Sequence, residues 1–440
     1  MSTEGTQSYF PRWKLRTVGV IATDERLPAG QTIALGLQHV VAMFGATVLA
    51  PLLMGFNPNV AILFSGIGTL IFFALVGGRV PSYLGSSFSF IGVVIAATAY
   101  AGSGPNPNIG VALTGIIAAG VVLSIVGLIV MKIGYAWIER LMPPAVTGAV
   151  VAVIGLNLAP IAVKSVSGST IDTWIGIGTI LAVALVAVRA PGLGRRLPIL
   201  LGGIAGYVLY AILANGLGLA KPIDFNGVAN AAWIGMPSLT APVWSVQAIA
   251  LIAPVAIVLV AENLGHVKAV AAMTGQNLDA YLGRAFLGDG VATIVAGSGG
   301  GTGVTTYAEN IGVMAVTKIY SSLIFVVAAL TAIVLGFSPK FGAMIMTIPG
   351  PVLGGLSIVV FGLITATGAR IWVQNRVDFS QTRNLITVAV TLVIGAGDLA
   401  LKFGDFTLGG IGTATFGAIL LYQVLRGGAD EAPARAPDSA

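Results

Sequence analysis

The chain has no cysteine and only two histidines, and charged residues make up 9% of its 440 positions. The first absence excludes disulfides, thiolate metal sites and cysteine nucleophiles. The second excludes a multi-histidine metal site. The third excludes a soluble fold. Roughly a quarter of an ordinary soluble chain is charged, and so few charges cannot cover a watery surface. With 56% hydrophobic residues and a mean hydropathy of +0.96, the solvent must be lipid. The net charge of +6 (pI about 9.6) then reflects Lys and Arg gathered on inner loops, not a nucleic-acid surface. The glycine-rich run at 299–303 lacks the Lys-Ser/Thr of a phosphate loop, so it is not read as nucleotide-binding. The opening residues, MSTEGTQSYFPRWKLRT, contain no apolar run before a cleavage site, and a removable signal peptide is not expected.

What is present is a series of apolar runs. The first extends from about Gln31 to Phe56. Others follow at about 59–76, 83–101, 109–131, 143–163, 171–188, 197–217, 245–271, 284–298, 303–316, 319–337, 342–368, 384–401 and 408–425. Several approach the ~20 residues needed to cross a bilayer. The fold class expected is therefore an all-α polytopic membrane protein of about fourteen spans, with the third, ninth and tenth short or broken by glycine. With the N-terminus in the cytoplasm, every Lys and Arg falls on the inner side except Lys164, Lys221, Lys340 and Lys402. One missed span would swap the sides of all later loops, so the asymmetry also supports the count. Residues 1–28 read as a polar lead-in, and the Ala/Pro/Asp-rich tail 427–440 as disordered.

The two halves echo each other. Leu37-Gln38-His39-Val40 in span one matches Leu264-Gly265-His266-Val267 in span eight, and Ile91-Gly92-Val93 in span three matches Ile311-Gly312-Val313 in span ten. Seven spans per half force the second copy to enter from the opposite side, which makes an inverted repeat. Transporters place substrates at such an interface, near the midplane. Spans three (PSYLGSSFSFIGVV) and ten are the matched broken elements. Unwound there, their free N–H groups and half-helix N-termini would face one cavity suited to carbonyl oxygens. Phe88 offers that cavity a flat stacking face.

The ionisable residues point to the same place. Glu262 and His266 are four apart and share one helical face. An intramembrane carboxylate is expensive and functional by default, and its desolvation suits it to proton exchange. The alternative is that Glu262 sits near a span end and pairs with Lys268. Glu309 follows the same logic, with hydrogen-bonding to loose backbone N–H groups as its structural alternative. Asn310 reads as a brace between the broken elements. His39 and His266, at matching repeat positions, suggest a polar relay with Glu262 and Tyr307. Asp289 and Asp398 read as caps or solvated span ends.

The strings GLQHVVAMFGATVLAPLLMGFNP, PSYLGSSFSFI, AENLGH and TTYAENIGVMAVTKIYS together resemble the nucleobase–ascorbate transporter family, specifically its bacterial uracil permease branch. The likeness runs from about Gln31 to Arg426, and Glu309-Asn310-Ile311-Gly312 to Thr317-Lys318 matches the family signature. The resemblance implies two inverted seven-span repeats. Core spans 1–4 and 8–11 would occupy 29–132 and 241–338, and gate spans 5–7 and 12–14 would occupy 133–220 and 339–426. It implies proton-coupled uptake by an elevator movement, commonly as a homodimer, across a bacterial inner membrane with both termini cytoplasmic. Carried over by motif, Glu262 and Glu309 hold the base, Phe88 stacks on it, and His266 partners Glu262. His39, Tyr307 and Asn310 complete the polar set. Ala308 stands where the family often has glycine, and Phe361 where some relatives have a gate-side tyrosine. The substrate implied is uracil, with the proton as coupling ion and no other cofactor. Purines such as xanthine or urate are the alternative, and an anion transporter on the same architecture is a remoter one. An enzyme is not expected, because no nucleophile or metal set accompanies Glu262 and His266.

Overall fold

In hydrocarbon, backbone N–H and C=O groups must be satisfied within the protein, so apolar runs of this length fold as helices. The computed structural model describes residues 8–102, 104–192, 194–404 and 406–426; the tail 427–440 lies outside them. The helices in chain order are α1 (Ala29–Met54), α2 (Pro58–Leu75), α3 (Ile91–Thr98), α4 (Ile109–Ile133), α5 (Ala136–Leu141), α6 (Pro144–Val166), α7 (Thr170–Arg189), α8 (Pro198–Ala211) and α9 (Asn226–Asn230). The second half holds α10 (Val246–Ile252), α11 (Val255–Thr274), α12 (Leu282–Ser298), α13 (Ala308–Thr317), α14 (Leu323–Gly336), α15 (Pro339–Met346), α16 (Gly350–Gln374), α17 (Thr382–Ala396) and α18 (Gly410–Val424). Six short strands accompany them: β1 (Lys14–Leu15), β2 (Glu25–Arg26), β3 (Leu84–Ser86), β4 (Val304–Thr306), β5 (Leu401–Phe403) and β6 (Phe406–Leu408). Among the described residues, eight helical stretches are long and apolar enough to cross a membrane, and Phe88–Thr98, Thr382–Ala396 and Gly410–Val424 are shorter apolar helices.

Proline and glycine reset several expected boundaries. The run expected at 342–368 is two helices. Pro339 starts α15, which is bent 83° from α14, and a new helix begins at Gly350 behind Pro349. Proline is well placed in a first helical turn but cannot supply an interior N–H, so each marks a start. The run at 245–271 breaks at Ala253–Pro254 into α10 and α11. The run at 384–401 ends as helix at Ala396. Asp398 has φ +50°, and β5 then pairs with β6 as a hairpin. The lead-in is also more than a polar arm, since residues 8–28 are folded against the helices.

Packing partners recur between the halves. As α2 packs on α14, so α12 packs on α4; as α6 packs on α17 and α18, so α16 packs on α7 and α8; and α6 and α16 pack on each other. Small residues allow the closest of these approaches. A Cβ on Gly120 of α4 would lie 2.7 Å from the carbonyl oxygen of Gly290 on α12, and one on Gly290 would lie 2.7 Å from that of Gly120.

Lys268 at the far end of α11 does not pair with Glu262. Its ammonium lies 2.9 Å from Asp279 and 3.5 Å from Glu139, and Tyr135 donates to Asp279 at 2.7 Å. Partial burial pushes the Asp279 carboxyl up, but hydrogen bonds from Tyr135 and Lys268 outweigh it and hold the group below the usual carboxylate range. With the folded value depressed, its stabilisation is present above the unfolded value and lost as pH falls through the folded one. Thermal unfolding followed from neutral to acid pH should therefore show a loss of stability that Asp279→Asn reduces. Identical pH profiles would exclude this network as a contributor.

Candidate functional site

The centre of the site is the crossing of β3 and β4. They pair antiparallel, Leu84 with Thr306, Gly85 with Thr305 and Ser86 with Val304. The ladder extends one step at each end: Ser87 N–H donates to Gly303 O and Tyr307 N–H to Tyr83 O, both at 2.9 Å. Their outer N–H groups are met by helix side chains, Leu84 by Thr69 Oγ1 of α2 (2.9 Å) and Val304 by Thr293 Oγ1 of α12 (3.2 Å). Extended backbone survives inside an apolar bundle because each strand satisfies the other and a threonine closes each edge. Two half-helices, α3 and α13, lead away from the crossing. Gly85 and Thr305 at its centre are as far apart in sequence as Ile91 and Ile311.

Glu262 lies on α11, half-buried, and its Oε2 is buried with no hydrogen-bond partner. An orphaned carboxylate oxygen in a buried setting calls for a ligand donor or a proton. Glu309, in the first turn of α13, is exposed to a cavity, and the two carboxylates are close enough to feel each other's charge. Glu309, Gly312, Val313 and Val316 present one stripe of α13 to that cavity of about 660 Å³. Its opposite wall is the α7–α8 connection, with Arg189, Pro191, Gly192 and Arg195. Of the expected site residues Glu309 lines this cavity, and Glu262 and Phe88 are not among its lining residues. The stripe of α13 that bears Glu309 turns toward the α7–α8 connection. Tyr307 lies within charge range of both Glu309 and Glu262, and Asp289 within range of Glu262.

The remaining polar residues form separate hydrogen-bonded pairs. His266 Nδ1 lies 2.9 Å from Thr306 Oγ1, on β4. Asn310 is fully buried and donates to both Nδ1 and the carbonyl oxygen of His39 (2.9 and 3.1 Å), which ties α13 to α1 and not to the other broken element. His39 also lies 4.7 Å from the ring of Phe325. Tyr307 is buried, and its hydroxyl donates to Ser86 O at 2.9 Å with Thr47 Oγ1 at 3.2 Å, so it braces the crossing. Among the described residues no hydrogen bond joins His39 or Tyr307 to Glu262. The His39 ring is bonded by the Asn310 amide, and the Tyr307 hydroxyl by Ser86 O and Thr47 Oγ1. Phe88 meets Phe361 of α16 edge-on, with ring centroids 6.0 Å apart. Ala308 is exposed at the start of α13.

Two features escaped sequence reasoning. Asp289 is not a solvated end. It is fully buried in α12, accepts from Asn263 Nδ2, and leaves its other oxygen unpartnered. Its sequence signal, an acid flanked by glycines, is also that of a helix cap. Asp289→Ala should lower thermal stability by about 1–3 kcal/mol, because Asn263 is left without its acceptor. Asp289→Asn should retain most of it, and equal melting of both variants would contradict this pairing. Arg189 and Arg195 carry no signal beyond that of any basic inner loop. Asp398, by contrast, accepts from Gly410 N–H (3.1 Å) at the start of α18 and from Asn157 (3.0 Å), a capping arrangement.

A helical membrane chain with paired half-helices and an orphaned intramembrane carboxylate is built as a permease, not as an enzyme. Residues 30–402 match the model of the permease family that includes the xanthine and uracil permeases. The chain belongs to that family, the nucleobase–ascorbate transporters. It is 66% identical over 420 residues to the "Putative pyrimidine permease RutG" of Escherichia coli strain K12, covering 94% of this chain and 95% of that one. It is 43% identical over 418 residues to the uracil permease of Paenibacillus larvae, covering 91% and 96% respectively. Among solved structures, the transmembrane domain of the cyanobacterial bicarbonate transporter BicA matches with TM-score 0.60 at 17% identity, covering 83% of this chain and 96% of that one. Murine Slc26a9 in the inward-facing state matches with TM-score 0.63 at 13% identity, covering 90% and 68%. These two likenesses concern the fold alone.

Proposed function

We propose that this chain is a uracil:proton symporter of a bacterial inner membrane, with both termini cytoplasmic. The observation that carries the reading is the unpartnered Oε2 of Glu262, within charge range of Glu309. Uracil presents ring N–H donors beside carbonyl acceptors. Two carboxylates accept from the former, and N–H groups at the start of α13, from Ala308 onward, donate to the latter. Phe88 stacks on the ring with Phe361 behind it. His266, one turn from Glu262, tunes its proton affinity, while His39, Asn310 and Tyr307 hold the frame. The names of the relatives support a pyrimidine substrate over xanthine or urate.

The architecture we propose is two inverted seven-span repeats. The reciprocal bonds at the crossing, the matched threonines and the exchanged packing partners support it. Core (29–132, 241–338) then slides against gate (133–220, 339–426) as an elevator, in a homodimer. Coupling follows if proton and base favour the same movement. A second reading, anion transport, has one observation in its favour: Arg189 and Arg195 line the Glu309 cavity.

The test is uptake of labelled uracil into proteoliposomes under an inward proton gradient, with unlabelled thymine, xanthine, urate and bicarbonate as competitors. Accumulation abolished by a protonophore and competed by pyrimidines is expected. Uptake competed by bicarbonate alone would favour the second reading.

A further inference from the structure

We propose that residues 9–27 are a strap that fixes the end of the Glu309 helix to α2, α11, α12 and α14 and travels with them as one body. The inference rests on the transport reading above, but its contacts stand without it.

Four residues of the strap are buried: Pro11, Ile21 (1% exposed), Thr23 (3%) and Leu27 (6%). A merely polar lead-in would bury none of them. Helix α13 stops at Lys318, which has φ +58°. The chain's path beyond it is set by Ile21, whose N–H donates to Lys318 O (3.1 Å) and whose carbonyl accepts from Tyr320 N–H (2.8 Å). The pairing continues at Thr23, whose carbonyl accepts from both the N–H (3.3 Å) and the hydroxyl (3.1 Å) of Ser322, just before α14. Trp13 Nε1–H donates to the same Ser322 hydroxyl at 3.0 Å.

The other fastenings reach three more helices. Thr23 and Gln276 bond side chain to side chain at 3.1–3.2 Å, just past α11. Tyr9 donates to the last carbonyls of α2 (Ala74, 2.8 Å; Leu75, 3.0 Å), while Phe10 and Trp13 stack on Phe73 at 5.7 and 5.9 Å. Arg284 of α12 places its guanidinium 5.6 Å over the Tyr9 ring. Every one of these contacts falls on spans assigned to the core. The Lys268–Glu139 pair, by contrast, ties α11 to α5, across the core–gate boundary. A strap confined to one body can hold it rigid without resisting its movement against the other. It acts on Glu309 through the far end of α13, as a positioning element rather than by touching substrate.

The chain lacks cysteine, so one engineered pair gives one disulfide. Ile21 and Ile319 are bridge partners. Oxidised Ile21→Cys/Ile319→Cys protein should take up uracil within about twofold of its reduced form, because the strap never leaves. Uptake stopped by oxidation and restored by reduction would overturn the proposal, since the strap would then be a lid that must open. Ile21→Pro with Trp13→Ala should lower kcat by about tenfold or more with KM changed less than about threefold. Ile21→Val with Trp13→Phe, which keeps the stacking, should restore kcat. Wild-type kcat in the disrupted variant would overturn the proposal.

Hydrogen exchange of amides 310–322 provides a readout that needs no substrate. Faster exchange in the disrupted variant is expected, and unchanged exchange would overturn the strap. Absence of uracil uptake by the unmodified protein would count against the substrate instead. If the proline variant fails to accumulate, Trp13→Ala alone carries the exchange measurement.

Discussion

Glu262→Gln loses concentrative uracil uptake, with the initial rate under a proton gradient down by at least about 100-fold. Two losses combine. A charge-assisted hydrogen bond to a buried acceptor contributes about 1.5–3 kcal/mol, roughly 10- to 100-fold in affinity. An amide also cannot take up and release a proton, so whatever binding remains is not coupled to the gradient. The orphaned Oε2 makes the effect specific to this residue, because no other protein group is left to compensate. Counterflow of uracil at equal pH on both sides separates the two losses. Residual exchange without accumulation identifies Glu262 as the coupling group. An uptake rate within about threefold of the unmodified protein, with its pH profile intact, would remove Glu262 from the mechanism.

Gly303→Val prevents the strand crossing from forming. A Cβ at this position would lie 2.2 Å from Cε2 of Phe90, a ring with no solvent exposure, and Gly303 O must also accept the N–H of Ser87. Neither neighbour can withdraw, because the ring is packed on all sides and the ladder fixes the backbone. Overpacking a filled core costs about 1–3 kcal/mol, and losing the ladder in an apolar bundle adds unpaired polar backbone. The expected outcome is little monodisperse protein after detergent extraction and no uracil binding. Gly312→Ala is the control, since a Cβ there meets nothing within 4 Å. It should fold normally. Normal yield and melting of Gly303→Val would mean that the crossing is not built as described.

Much of this organisation is legible in the sequence because lipid imposes simple rules. Few charges and long apolar runs require helices. The Gly- and Ser-rich stretches around Gly85 and Gly303 require a break in them. The Ile-Gly-Val echo aligns the two breaks at the spacing that the β3–β4 register shares. Boundaries set by a single proline were less legible, because hydropathy runs on across Pro254 and Pro349. The burial of Asp289 could not be read at all, since the distinction between a cap and a core acid lies in the facing helix that carries Asn263. The folding of residues 8–28 was hidden for a similar reason: their partners, Phe73, Gln276 and Ser322, are scattered through the chain. The arrangement of Glu309 opposite Arg189 and Arg195 depends on how two distant loops meet.

Proton-coupled uptake as proposed requires a base held between α11 and α13 by Glu262 and Glu309. Anomalous diffraction from crystals soaked in 5-bromouracil tests this most directly. One bromine peak is expected between those two helices, beside Phe88, and is lost in Glu262→Gln crystals. A peak elsewhere, such as the cavity of about 380 Å³ lined by Asn57, Asn106 and Thr240, would contradict it if none appears between the carboxylates.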